Sequence, residues 1–462
     1  MTVFSIGRAH FGETGVAGEA PESGMRASLI ARLRPVLQPG FLLEALRTDW
    51  VYGAEHGLDV LECHLLRLLP RGEEGFVLEY RVELGDGAGR TSQRQLLVEI
   101  CSGDARQRYE ALLVSLSKPR RRQLSWKAPT GAVDYLGSLG LVVRLPGFDE
   151  RLPGLKLLHR PRLLRPILAA DVLRANESAG KVRAQILGHR LGKRCTVRFA
   201  FKVSQDGSSG RVRRSVIGKF YKKRSLLAVQ TAVTMAWLRE NGFHASSPIR
   251  VPNHFRVSRD WQTQIMEDVP GSALCELSAG EYRNGAGLAG EALAKLHTCP
   301  VRVSGCHSVD DELAVVTRWV KLVGELGSDL APAADRARRR VVSALELCRT
   351  ATRRLVHRDF YDRQVLIDGQ RVAVIDFDTL CHADPAIDVG NFLAHLELAR
   401  ARGECRASGA DEAFLAGYGA ERAAGMGARI EAYSKSALLR LACMVSFEAP
   451  PGVAETLLER IE

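Results

Sequence analysis

Two acidic residues, Asp359 and Asp376, flank a short segment whose apolar residues alternate as they do in a β-hairpin. Residues 365–367 and 372–375 form the two alternating runs, with Gly369 in the turn between them. A hairpin brings its two ends together, so the two acids are predicted to lie side by side. Phosphoryl transfer requires an aligned hydroxyl and neutralised phosphate charge, and one carboxylate near the hydroxyl with another on Mg²⁺ meets much of that demand.

The segment containing these acids resembles the catalytic loop and metal-binding motif of the aminoglycoside phosphotransferase and choline kinase superfamily, which has a protein kinase-like fold. The family pattern is H-x-D-x-x-x-x-N followed by I-D-[FW], and it is matched here by His357, Asp359, Ile375, Asp376 and Phe377. The resemblance implies that Asp359 is the catalytic base, with His357 and Arg358 completing the catalytic motif. It also implies that Asp376 is a Mg²⁺ ligand.

Two further residues are candidate metal ligands. Gln364 stands where the family has its metal-binding Asn. Gln carries the same amide oxygen on a stem one methylene longer, so it can still reach Mg²⁺ directly or through a water. Asp378, two residues after Asp376, is predicted to supply another oxygen. Asp388, which begins a predicted helix, is interpreted as a structural brace for the catalytic loop.

A β-rich region precedes the catalytic loop. Residues 181–221 contain three strand-like runs separated by Gly-rich turns, and Lys219 lies on the third run. The resemblance implies that Lys219 pairs with the nucleotide phosphates, a task that suits a compact ammonium group. The alternative is an edge-strand lysine that blocks aggregation. The only acid of the following helix is Glu240 at its end, which leaves Gln230 as the nearest polar substitute for a lysine-orienting glutamate.

The first of the Gly-rich turns is a candidate for covering the phosphates. Gly188 and Gly192 lie on either side of it, and backbone amides together with Lys193 or Arg194 can contact phosphate oxygens there. The resemblance implies ATP and Mg²⁺ as cofactors.

The strand-like run that ends near residue 267 is followed by a Pro-Gly turn and resembles the linker between the two lobes of the family. The resemblance implies that adenine binds the backbone near Met266, Glu267 and Asp268. We therefore expect an α+β chain with a bilobal protein kinase-like fold, comprising a small β-rich N-lobe at 176–268 and a mostly helical C-lobe at 269–462. An accessory β-rich α+β domain at 1–175 is expected to precede it.

The accessory region contains an internal echo of the N-lobe. Residues 70–100 parallel residues 190–220 at an offset of about 120. The matched positions are Gly72 with Gly192, Val77 with Val197, and Asp86-Gly87 with Asp206-Gly207. The lysine position is taken by Val98 or Glu99 and no catalytic motif follows, which favours a degenerate, non-catalytic repeat. The alternative is two unrelated hairpins with Gly turns.

Composition limits the remaining possibilities. A chain of 462 residues with 46% hydrophobic content is large enough for two or three domains. No window approaches the roughly 18 apolar residues of a membrane span, and the start of the sequence does not read as a signal peptide. The ten cysteines are scattered without the spacing of a disulfide scaffold. We expect a cytoplasmic protein that does not interact with membranes.

The net charge is +12, and the sharpest basic runs are Lys118–Arg122 and Arg336–Arg340. The second run lies in a stretch with helical spacing, so its arginines are expected to form a solvated face. No nucleic-acid reader motif accompanies the charge, and no specific nucleic-acid partner is expected.

The sequence favours an ATP-dependent phosphotransferase that moves the γ-phosphate to a hydroxyl of a small molecule. The alternative is a catalytically impaired nucleotide-binding pseudokinase or scaffold protein, motivated by Gln364 and the missing helix glutamate. A protein kinase is disfavoured because the segment after Asp376 lacks D-F-G and A-P-E elements and leaves no room for an activation loop. The identity of the acceptor and the oligomeric state are left open.

Overall fold

The computed structural model describes residues 22–38, 40–117, 131–205, 210–404, 407–447 and 452–462. The basic run Lys118–Arg122 and the Asp206-Gly207 turn lie outside these residues. Within them, the chain forms a first sheet with helices, then a second sheet, then a largely helical region.

The first region contains a five-stranded antiparallel sheet in the order β1-β2-β3-β5-β4. Its elements are α1 Glu22–Val36, α2 Phe41–Asp49, α3 Val51–Glu55, β1 Leu58–Pro70, β2 Gly75–Asp86, β3 Thr91–Cys101, α4 Ala105–Ser117, β4 Val133–Leu136, β5 Leu141–Arg144, α5 Lys156–His159 and α6 Arg165–Asp171. Side chains alternate across the strands, so Leu78 and Val82 pack with α1 and α2, while Val77 and Leu97 face Leu191 of the next region. Both faces of this sheet are therefore covered.

The second region is built on a six-stranded sheet in which β11, β12, β9 and β8 follow one another and β6 and β7 both pair with β8. Its elements are β6 Glu177–Ala179, β7 Arg183–Arg190, β8 Arg194–Gln205, β9 Arg211–Tyr221, α7 Leu227–Glu240, β10 Ile249–Arg250, β11 His254–Ser258 and β12 Thr263–Glu267. Phe199 and Phe220 pack on one face with Leu157 and Leu168. Lys219 neighbours Phe220 on the strand and so points from the opposite face.

The two sheets share a topology. The order β1-β2-β3-β5-β4 corresponds to β7-β8-β9-β12-β11, and a helix follows the third strand in each, α4 in the first and α7 in the second. Gly72 and Gly192, in the turns after β1 and β7, both have positive φ, 63° and 72°. Glu99 and Lys219 each lie two residues before the end of the third strand. That the regions arose by duplication stays a prediction.

The third region is mostly helical. Its elements are β13 Ser272–Ala273, α8 Ala279–Thr298, α9 Val309–Glu325, α10 Ala331–Leu345, β14 Arg354–Val356, β15 Val365–Asp368, β16 Arg371–Val374, β17 Cys381–Ala383, α11 Ala386–Ala401, α12 Ala410–Tyr418, α13 Ala420–Ala424, α14 Gly427–Val445 and α15 Val453–Glu459. The predicted hairpin is β15–β16, paired antiparallel around Gly369. The run Arg336–Arg340 lies in α10, which buries Ala337 and exposes Arg339 and Arg340.

This architecture confirms the expected fold class, a bilobal protein kinase-like α+β fold preceded by a β-rich α+β region. The boundaries at 175/176 and 268/269 stay predictions. Residues 152–168 precede the first boundary, yet their leucines pack into the core of the second sheet. Of the helices in the described ranges, none is long and apolar enough to cross a membrane.

Candidate functional site

The site forms where β9 meets the end of the β15–β16 hairpin. The Lys219 Nζ atom lies 2.8 Å from Asp376 Oδ1 and 2.9 Å from Asp378 Oδ1. Asp376 has φ 65° and ψ 62°, a left-handed conformation that is uncommon for a residue with a side chain and that accumulates at functional sites. Gln230, the nearest polar substitute for a lysine-orienting glutamate, is half-buried on α7. The ion partners of Lys219 come instead from the helical region.

A second cation completes the cluster. Arg194, the first residue of β8, places Nη1 3.0 Å from Asp376 Oδ1 and Nη2 3.0 Å from Asp376 Oδ2. Its Nη1 also pairs with Asp378 Oδ2, and the Tyr221 hydroxyl donates to Asp378 Oδ1 at 2.9 Å. Each carboxylate oxygen of Asp376 and Asp378 therefore receives a hydrogen bond from the protein. Two carboxylates face two cations, Lys219 and Arg194.

The pKa values in this cluster reflect the pairing. Burial alone would raise the pKa of Asp376, but the charges of Lys219 and Arg194 outweigh it and hold that pKa well below its ordinary value. Burial would lower the pKa of Lys219, but Tyr221, Asp378 and Asp376 outweigh it and raise that pKa above its ordinary value. Asp376 and Lys219 are thus both ionised near neutral pH.

The catalytic-loop motif is held by a buried carboxylate. Asp388, on the first turn of α11, accepts hydrogen bonds from the backbone N–H groups of His357 and Arg358, both at 2.6 Å. The His297 ring lies 3.0 Å from Asp388 Oδ2. The His357 Nε2 atom lies 2.9 Å from the Ile375 carbonyl, which can only accept, so Nε2 carries the hydrogen. These bonds join the loop to the strand that leads to Asp376.

Asp359 follows this braced turn and is half-buried. Arg358, just before it, has φ 68°, so the chain turns sharply at the residue preceding the predicted base. His357 and Arg358 are engaged through their backbone N–H groups. In this arrangement they shape the loop that presents Asp359.

Gln364 is buried, and its backbone carbonyl accepts the Ile375 N–H at 3.0 Å. Gln364 therefore lies beside the residue that precedes Asp376. The amide and carboxylate oxygens of Gln364, Asp376 and Asp378 fit Mg²⁺ by type, since this ion prefers hard oxygen donors. Among the described residues there is no group of three or more His, Cys, Asp or Glu side chains able to hold a metal ion. One or two carboxylates together with substrate phosphates are nonetheless a usual Mg²⁺ environment.

The predicted adenine-binding residues lie at the end of β12. The Glu267 carboxylate pairs with Arg250, with oxygens 2.5 and 2.6 Å from Nη2, and the Asp268 carboxylate pairs with Arg198 at 2.7 Å. Met266 is buried. The Glu267 N–H donates to the Asn253 carbonyl at 2.7 Å, so this N–H is already engaged within the protein. Adenine binding at this segment stays a prediction.

An aromatic pair borders the loop next to Asp359. The rings of Tyr361 and His395 are stacked, with centroids 4.3 Å apart. Burial, together with the charge of Asp359, raises the pKa of Tyr361 to about 12, while Arg363 and Arg67 act in the opposite direction. Burial and neighbouring arginines lower the pKa of His395 to about 3, so the ring is neutral. Arg67 belongs to β1, and the first sheet therefore borders this side of the site.

Sequence reasoning missed three residues near the site. Tyr221 lies two positions after Lys219 on β9, so the two-residue period of a strand places it on the same face and was an available signal. Asp149 and His189 hold the turn between β7 and β8, and Asp149 is 43 residues from the glycine it contacts. No local pattern links residues at that separation.

One protein-family model matches part of this chain. Residues 207–429, just under half of the chain, match the family model APH, the phosphotransferase enzyme family. No curated protein sequence matches the chain.

Several solved structures resemble it at low identity. A thermostable mutant of aminoglycoside phosphotransferase APH(4)-Ia is 17% identical, with a TM-score of 0.44 over 64% of this chain and 96% of that chain. A choline/ethanolamine kinase family protein from Mesorhizobium loti is 17% identical, with a TM-score of 0.40 over 61% of this chain and 84% of its own. An ethanolamine kinase from Plasmodium vivax is 14% identical, with a TM-score of 0.41 over 61% and 80%.

Proposed function

Since residues 207–429 match the model of the phosphotransferase enzyme family, we propose that this chain transfers the γ-phosphate of ATP to a hydroxyl group of a small molecule. The observation that carries the proposal is the meeting of Asp376 with Lys219, at 2.8 Å, beside the braced loop that presents Asp359. Such a site positions reactants and neutralises charge, which is most of what phosphoryl transfer demands.

Each residue has a role in this proposal. Asp359 orients the acceptor hydroxyl and accepts its proton. Asp376, with Gln364 and Asp378, holds Mg²⁺, which when bound neutralises charge on the phosphates. Lys219 binds the phosphates of ATP as a point charge.

Arg194 joins Lys219 as a phosphate-binding residue. In the structure both cations are paired with Asp376 and Asp378, and these are the oxygens that Mg²⁺ needs. ATP phosphates offer the two cations a new anionic partner, which releases the carboxylate oxygens for the metal. Nucleotide and metal binding are therefore coupled through this exchange of partners.

The second candidate is a nucleotide-binding pseudokinase or scaffold. Two observations favour it: Gln364 replaces the family's Asn, and every carboxylate oxygen of Asp376 and Asp378 already accepts a hydrogen bond from the protein. If the cations do not leave the carboxylates, ATP binds without turnover. Measured turnover separates the two candidates.

The test is Mg²⁺-dependent ADP release from ATP with a panel of acceptors. The panel contains neutral sugars, amino sugars and amino alcohols, and also phosphorylated and carboxylated sugars because Arg67 and Arg363 lie near the loop. Turnover with one acceptor class, lost in Asp359→Asn, supports the kinase. The matched control is Asp368→Asn, an exposed aspartate at the tip of the β15–β16 hairpin, which should keep activity. ATP binding without turnover across the panel would favour the scaffold.

A further inference from the structure

The turn between β7 and β8 is tied to the segment that follows the first sheet. The Gly192 N–H donates to Asp149 Oδ2 at 2.5 Å, and the His189 Nε2 atom lies 3.2 Å from the same oxygen. The other oxygen of Asp149 accepts the Arg151 N–H at 2.9 Å. Asp149 and His189 are only 5% and 3% exposed, so water does not compete for these bonds.

The tautomer of His189 follows from its two neighbours. The Gly147 N–H, which can only donate, lies 3.1 Å from His189 Nδ1, so Nδ1 has no hydrogen. The ring is therefore neutral, and its Nε2–H donates to Asp149. Burial would raise the pKa of Asp149, but the bonds from His189 and Gly192 outweigh burial and lower that pKa. The carboxylate is charged, and each of its oxygens accepts a hydrogen bond.

A second set of contacts holds the same turn. The Arg71 guanidinium packs against Gly192 so closely that a Cβ there would lie 2.6 Å from Nη2. Arg71 is itself fixed by Glu74 at 2.6 Å and Glu99 at 3.1 Å. The Arg151 carbonyl accepts the Lys223 N–H at 3.0 Å, just after β9 ends. The turn is thus held from the first sheet as well as from the connecting segment.

The turn leads directly into Arg194, whose guanidinium lies on Asp376. We propose that Asp149 and His189 are positioning residues for nucleotide binding: they fix the turn at residues 191–193 and, through it, the start of β8, from which Arg194 reaches the ATP phosphates. The inference rests on the proposed function. It makes the segment after the first sheet part of the nucleotide site, although that segment lies outside the matched residues 207–429.

The first experiment measures ATP affinity and steady-state kinetics of the full chain carrying Asp149→Ala. We expect the Kd and KM for ATP to rise about tenfold or more, because the turn loses a charge-assisted anchor, while KM for the acceptor at saturating ATP stays unchanged. The matched control is Asp86→Ala, which removes a carboxylate that accepts hydrogen bonds from the Ala88 and Arg90 N–H groups. This turn follows β2, whereas Glu74 precedes β2. An ATP affinity equal to that of the control would overturn the inference.

A second pair of variants covers the case in which Asp149→Ala does not fold. His189→Gln keeps an N–H donor for Asp149 and should retain most of the ATP affinity. His189→Ala removes one donor to Asp149 and should lower the ATP affinity. Equal ATP affinities in the two His189 variants contradict the inference. Failure of the native chain to bind ATP would instead reject the proposed function, so the two failures are distinguishable.

Discussion

Arg194 and Asp376 form a two-pronged ion pair, with each terminal nitrogen of the guanidinium 3.0 Å from a different carboxylate oxygen. Arg194, the first residue of β8, is a phosphate-binding residue in the proposed function, and Asp376 is the proposed metal ligand. The pair therefore joins the phosphate-binding part of the site to the metal-binding part. It has to open before Asp376 can offer both of its oxygens to a metal ion.

Replacing Arg194 by Gln should separate metal binding from nucleotide binding. The Asp376 and Asp378 oxygens lose a cationic partner, so the affinity for Mn²⁺, used as a spectroscopic probe for Mg²⁺, should rise about tenfold in the absence of ATP. ATP affinity should fall, since a phosphate-binding cation is missing. Arg213→Gln, an exposed arginine on β9, is the control and should change neither. Unchanged metal affinity in Arg194→Gln would show that the pair does not compete with metal.

Lys219→Met keeps the length of the side chain and removes its charge. One cation then faces two buried carboxylates, so we expect the free energy of unfolding to fall by about 3 kcal/mol at neutral pH. ATP affinity should fall as well. Chemical denaturation and nucleotide titration measure the two effects, and Lys202→Met, an exposed lysine on β8, is the comparison. Full ATP affinity in Lys219→Met would rule out the proposed phosphate contact.

Asp388→Asn tests the brace of the catalytic loop. An amide NH₂ group would face a backbone N–H of His357 or Arg358, leaving two donors in contact in a fully buried position. We expect a loss of about 2 to 3 kcal/mol in the free energy of unfolding. The kcat should fall while KM for ATP changes little, since the loop presents Asp359 and not the nucleotide. If kcat and ATP affinity fall by the same factor, the effect of Asp388→Asn is not confined to the loop that presents Asp359.

The buried network of the first sheet predicts a pH dependence of stability. Burial would raise the pKa of Glu99, but Arg144, Arg108 and Arg71 outweigh it and lower that pKa from 4.5 to about 2. A carboxyl with a lowered folded-state pKa stabilises the fold fully above its unfolded value. This contribution, about 3 kcal/mol at most, should be lost as the pH falls from 4.5 towards 2.

The measurement is denaturant unfolding at several pH values for the native chain and Glu99→Gln. The variant should be less stable at pH 6, because the fully buried Arg144 loses Glu99, one of its two charged partners, and keeps only Glu150. The difference between the two proteins should shrink as the pH approaches 3. A constant difference over that range would contradict the assigned pKa.

The sequence predicted those parts of the site whose residues are close in the chain. Alternation around Gly369 predicted the β15–β16 hairpin, and the motif spacing predicted that Asp376 lies near the loop of Asp359. Local patterns suffice here because a hairpin is a local structure. Lys219 is farther away in the chain, and the resemblance to a family predicted its pairing with nucleotide phosphates. Its pairing with Asp376 and Asp378 was not predicted.

The remaining contacts depend on tertiary packing. Arg194 is 182 residues from Asp376, and its position depends on how the second sheet sits on the helical region. Glu99 is an acid on a strand, and the sequence around it does not predict the three arginines that surround it in the structure. The helix N-terminus at Asp388 was recognised, but its hydrogen-bond partners are amides of the catalytic loop rather than of its own helix.

The packing of Leu157 and Leu168 against Phe199 and Phe220 limits where the chain can be truncated. A fragment starting at the predicted boundary, residue 176, would lose these leucines together with Asp149. The aromatic face of the second sheet would then be open to water, and such exposed apolar strands promote association between molecules. A truncated phosphotransferase unit is therefore expected to aggregate on expression, and a usable shortened form has to begin upstream of residue 147.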